Sequence, residues 1–134
     1  MNTKEYIRMA EGSPIQGYPD YETGSEYQCE RKMDWLKTGK RILKQLAKEL
    51  GLPDGSYDIR INAAGPAVSG EATLHGEWIY VDLGQSCMGK DFGFMWRTCK
   101  GRKDFRGGMN QWSKWDSLLD LPKLSCIMKS VKQP

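Results

Sequence analysis

The sequence has few of the residues that catalysis usually recruits. It holds a single histidine, His75, which reads as a polar residue at a hairpin turn. No G-x-S-x-G, H-E-x-x-H or phosphate-loop pattern occurs. Two acidic pairs exist on paper: Asp82 with Asp91 around a glycine-bearing loop, and Glu71 with Glu77 near the expected turn. Such pairs occur on any surface and carry no weight without geometry. The four cysteines, Cys29, Cys87, Cys99 and Cys126, are also too scattered for chemistry. A structural zinc site wants two ligands within a few residues of each other, and the nearest cysteines are twelve positions apart. Free thiols in a reducing compartment are expected. No apolar run approaches the ~20 residues needed to span a bilayer, and the opening stretch MNTKEYIRMAEGSP has no apolar signal core. The expectation is a non-enzymatic cytoplasmic protein with no catalytic residue, cofactor, metal or membrane partner.

What is present is ordinary for one globular domain: 134 residues, 39% hydrophobic and 28% charged. Five tryptophans and six tyrosines are many for this length, and each ring must be buried or do something at the surface. The net charge of +3 permits an anionic partner without requiring one.

Residues 1–25 are punctuated by Gly12, Pro14, Gly17, Pro19 and Gly24. They read as a flexible or loosely packed arm, with a short helix over Thr3–Ala10. The clearest helix covers 26–50, from a Ser25 cap to Gly51 and Pro53. Cys29, Met33, Leu36, Leu43, Leu46, Ala47 and Leu50 form its apolar face, with Gly39 filling the missing turn and allowing close approach of another element. Four strands with period-two alternation follow: Ser56–Asn62, Val68–His75, Glu77–Leu83 and Phe92–Cys99. The short His75-Gly76 link makes the middle pair a hairpin. A last helix near 121–132 is capped by Asp120, with Leu121, Leu124, Ile127, Met128 and Val131 as its stripe. The order predicts an α+β domain over 26–134, with an antiparallel sheet of about four strands and two main helices.

Between the strands and the last helix lies KGRKDFRGGMNQWSKWD, residues 100–116. Arg97, Lys100, Arg102, Lys103 and Arg106 fall within ten residues, opposed by Asp104 alone, and Phe105, Trp112 and Trp115 are interleaved. Basic side chains neutralise phosphates and aromatic faces stack on bases. These eight residues are therefore the candidate partner-binding set, with Gly101, Gly107 and Gly108 letting the backbone approach a partner. The plainer reading is a solvated loop whose rings are anchored in the core. Lys37, Lys40, Arg41, Lys44 and Lys48 make a second basic stripe, on the long helix away from its apolar face. A third surface is conceivable if Trp78 and Tyr80, joined by Phe94 and Trp96, cover the outer sheet face as a stacking platform.

The segment GFMWRTCKGRKDFRGGMNQW, residues 93–112, resembles a pattern in small bacteriophage and mobile-element proteins, in which a C-K-G-[RM]-K-D run precedes G-G-x-N. The resemblance spans roughly residues 57–116 and brings no catalytic residue with it. It implies a setting, the bacterial host cell. It also implies two kinds of role: contact with nucleic acid or a nucleoprotein complex, or inhibition of a host defence complex, anti-CRISPR fashion, through protein contacts.

Overall fold

A computed structural model describes residues 1–12, 27–63, 69–85 and 92–131, and for 27–29 the backbone alone. Among these residues three α-helices, α1 (Thr3–Ala10), α2 (Tyr27–Glu49) and α3 (Leu121–Ser130), accompany five strands. These are β1 (Asp58–Asn62), β2 (Glu71–His75), β3 (Ile79–Gly84), β4 (Phe94–Thr98) and β5 (Gln111–Ser113), and a 3₁₀ turn, Trp115–Leu119, leads into α3. The strands pair antiparallel in chain order, a five-stranded meander. The architecture is the expected α+β domain with one strand more, because β5 lies in what the sequence presents as loop.

Helix α2 ends where Gly51 takes a left-handed φ of 73°. Gly51 N–H then bonds to Lys48 O and Leu52 N–H to Ala47 O, which satisfies carbonyls that the helix leaves open. Its inner face puts Leu36, Leu43, Leu46 and Ala47 against Ala72 and Leu74 of β2 and their neighbours. Gly39 sits where this face meets other elements: an added Cβ would lie 3.0 Å from Tyr6 Oη and 3.3 Å from Ala72 Cβ. Met33, expected inside, is 37% exposed, one position off the buried stripe.

The first helix belongs to the core rather than to an arm. Asn2 caps it by accepting from Glu5 N–H. Tyr6 is fully buried, stacked on Trp35 at 4.7 Å, and its carbonyl accepts from Trp35 Nε1 at 3.1 Å. Trp115 stands edge-on to Tyr6 and leans on Phe94, closing an aromatic cluster between α1, α2 and the sheet. The remainder of the expected arm, residues 13–25, lies outside the described residues, and with it the Ser25 cap.

Register assigns the sheet's faces. Ile59, Leu74, Val81 and Trp96 stand opposite one another across β1 to β4 and face the helices. Trp96 and Phe94 are therefore core residues, and Trp78 packs against the same cluster. This removes the expected stacking platform: of the rings proposed for the outer face, Tyr80 alone is there. His75 is the last residue of β2, buried on that outer face and not at the turn tip. On α3, Leu124 and Met128 are buried, whereas Ile127 and Cys126 are exposed. The apolar stripe is narrower than its spacing implies.

Candidate nucleic-acid interface

The segment from Cys99 to Asn110 folds back over the outer face of the sheet, and most of its distinctive residues hold it there. Asp104 is the staple. Its carboxylate accepts the backbone N–H of Lys100 at 2.9 Å and of Arg106 at 3.0 Å. These bonds hold its carboxyl below the usual carboxylate range. Arg102 reaches across to β1: Nη2 donates to Asp58 Oδ1 at 2.7 Å, Nε to Oδ2 at 3.3 Å, and Nη1 to Gly55 O at 2.7 Å. The Arg102 fork in turn lowers the Asp58 pKa. Gly107 and Gly108 press on the end of β4, where a Cβ would come within 2.8 Å of Cys99 Cα and 2.6 Å of Thr98 Oγ1 respectively. Their close approach is to their own strand and not to a partner.

Beneath the loop, His75 Nε2 lies 3.0 Å from Gly101 O. A carbonyl only accepts, so this nitrogen carries the ring proton. Burial lowers the His75 pKa and keeps the ring neutral near pH 7. Tyr80 and Phe105 stand edge-on to His75, each at 5.1 Å. Arg97 is 6% exposed, with its guanidinium 4.6 Å from the Tyr80 ring centre and Nη1 buried without a hydrogen-bond partner among the described residues. Farther along the same face, Asp82 and Glu71 lie side by side. Burial, and then the bond and charge of Glu71, push the Asp82 carboxyl up to about 8. Of the acidic pairs in the sequence, this one was not anticipated: Asp91 lies outside the described residues.

The candidate set therefore divides. Arg97 belongs to β4 and is buried, and Trp115 is 2% exposed in the aromatic core. Neither can meet a partner. Arg102 is held by Asp58 and Gly55. Lys100, Lys103, Phe105, Arg106 and Trp112 are exposed, Phe105 by 69% and Trp112 by 40%. Lys100, Lys103 and Arg106 make no ion pair among the described residues. Trp112 projects from β5 on the outer face, opposite Met95 and edge-on to Phe92 at 5.6 Å. Beside this set two exposed apolar residues were missed, Phe92 and Met109. Phe92 falls in phase with the inward residues of its strand, and Met109 follows a glycine pair, so alternation hides both.

On the opposite side of the sheet, Lys37, Arg41, Lys44 and Lys48 are exposed along α2 and Lys40 is half-buried. The two basic surfaces thus face away from each other. Cys99 and Cys126 are free thiols, and the side chains of Cys29 and Cys87 are outside the described residues. Among the described residues no group of three metal-binding side chains gathers, and no helix is long and apolar enough to cross a membrane. No family model, curated protein or solved structure matches the chain.

Proposed function

We propose that this is a non-catalytic accessory protein of the phage or mobile-element kind. Its exposed loop residues, Lys100, Lys103, Phe105, Arg106 and Trp112, contact nucleic acid, free or within a nucleoprotein complex. One observation carries the reading. Between Cys99 and Asn110 the one carboxylate, Asp104, is committed to backbone N–H groups, while the three exposed cations, Lys100, Lys103 and Arg106, have no ion-pair partner among the described residues. Two exposed rings stand on the same side of the sheet. Cations release counterions by neutralising phosphates. Rings stack on unpaired bases at about 1–3 kcal/mol each. Single strands suit this arrangement because their bases are free to meet Phe105 and Trp112.

Titrating a labelled mixed-sequence single strand of about 16 nucleotides against the protein tests the reading. Anisotropy should rise saturably, and Trp112→Ala should weaken binding. No binding at about 50 mM salt would reject it.

A second reading has its own support. Phe92 and Met109 join Phe105 and Trp112 as exposed apolar side chains, and such residues mark protein interfaces. Inhibition of a host defence complex would use them as anchors. Phe105→Ala would then speed dissociation from the protein partner, while the loop charges would chiefly set the association rate.

A further inference from the structure

We infer that the outer face of α2 is a separate nucleic-acid contact, one that holds the phosphate backbone of a duplex. It shares no residue with the loop. Lys37, Lys40, Arg41, Lys44, Lys48 and Gln45 line a groove of about 370 Å³. The lining holds five cations, one amide and no carboxylate. None of the five forms an ion pair among the described residues; Arg41 Nη2 donates to Met1 O at 3.4 Å.

A solvated helix face usually intersperses acids four residues from its bases. Here the i,i+4 pairs are Lys37 with Arg41, Lys40 with Lys44, and Lys44 with Lys48, all of like charge. Each is mildly destabilising, and the nearest helix acids, Asp34 and Glu49, stand beyond the two ends of the ridge. The fold tolerates this repulsion on a surface that nothing among the described residues neutralises. An anionic polymer would neutralise it.

The ridge's chemistry selects the polymer. It contains no aromatic side chain, so it cannot stack on bases and must read phosphates. It contains no apolar side chain to anchor an acidic peptide. It is straight and rigid: Lys37 to Lys48 is eleven residues, about 16.5 Å at the helical rise. One strand of a duplex presents a phosphate about every 3.4 Å of axis, so the ridge spans about five phosphates, one for each cation. A flexible single strand has no such fixed spacing.

The test compares three proteins: wild type, Lys37→Gln/Lys44→Gln/Lys48→Gln, and Lys100→Ala/Lys103→Ala/Arg106→Ala. Each meets a labelled duplex of mixed sequence and a labelled single strand, between about 50 and about 200 mM salt. The wild-type duplex slope of log affinity on log salt should be about −4.5, and the α2 variant should lose about 2.7 of it, at roughly 0.9 per contact. The loop variant should keep the duplex slope. The α2 variant should melt no lower than wild type, since only like charges are removed. No duplex binding by wild type, an α2 variant that binds duplex as wild type does, or duplex binding lost in the loop variant alone would overturn the inference. So would poly-glutamate binding at the ridge where duplex does not, which would indicate an acidic protein partner. The single-strand arm bears on the loop alone, so one surface can fail without the other.

Discussion

The two faces of the sheet are built in different ways. The helix side is held by area: Leu36, Leu43, Leu46, Leu74, Val81 and Trp96 bury against one another, and many residues share the load. The outer side is held by single polar bonds: Arg102 to Asp58 and His75 to Gly101 join distant positions, and Asp104 fixes the loop itself through two backbone N–H groups. Nondirectional burial tolerates small shifts, whereas each of those bonds is all or nothing. The outer side can therefore present an unusual surface, because its shape is fixed by a few staples and the remaining side chains are left free.

The sharpest test of this contrast pairs two tryptophans that lie three residues apart. Trp115→Ala should cost about 3–5 kcal/mol, since Trp115 closes the aromatic cluster with Tyr6 and Phe94. Trp112→Ala should stay near about 0.5 kcal/mol. Chemical denaturation of both variants checks this, and equal losses would erase the distinction between core ring and surface ring.

The staples come next. Gly107→Ala drives a methyl to 2.8 Å from Cys99 Cα, and should cost about 1–3 kcal/mol as overpacking. Its effect on the denaturation midpoint should exceed that of Gly101→Ala, where an added Cβ meets nothing within 4 Å.

A smaller effect follows from Asp82. Its carboxyl is held at about 8 in the fold against about 3.9 in the unfolded chain. Between those values the folded state binds more protons, so this group's contribution to stability falls as pH rises. His75, with its pKa lowered by burial, works in the other direction and destabilises the fold as pH falls through the histidine range. The difference in melting temperature between wild type and Asp82→Asn isolates the carboxyl. Wild type should lose ground to the variant steadily from pH 5 to pH 8, and a flat difference would mean that the Asp82 carboxyl is not raised in the fold.

Much of the helix side was legible in the sequence because it repeats. Helical spacing located α2 apart from Met33, and alternation located four strands to within a few residues. The Asp120 cap located α3: its carboxylate accepts Lys123 N–H. The loop side was legible only as composition. Nothing local says that Arg102 will find Asp58, 44 positions away, or that the glycine pair serves β4. Period two placed Arg97 correctly in a strand, yet its count among neighbouring bases drew it into the surface set. Three-residue β5 is too short to show alternation at all. Of the loop's basic candidates, the three that remain exposed are those without an ion-pair partner among the described residues, and partners are what a sequence does not display.

The smallest folding effect belongs to the variant that matters most. Lys100→Ala/Lys103→Ala/Arg106→Ala omits Arg102, because that side chain is a staple, and each change should stay within about ±0.5 kcal/mol of stability. Its binding to a single strand, followed by anisotropy between about 50 and about 200 mM salt, tests the central claim most directly. The account predicts a slope flatter than wild type by about 2, at roughly 0.7 per lost phosphate contact, in a protein that melts as before. A folded variant whose affinity and salt slope equal those of wild type would contradict it.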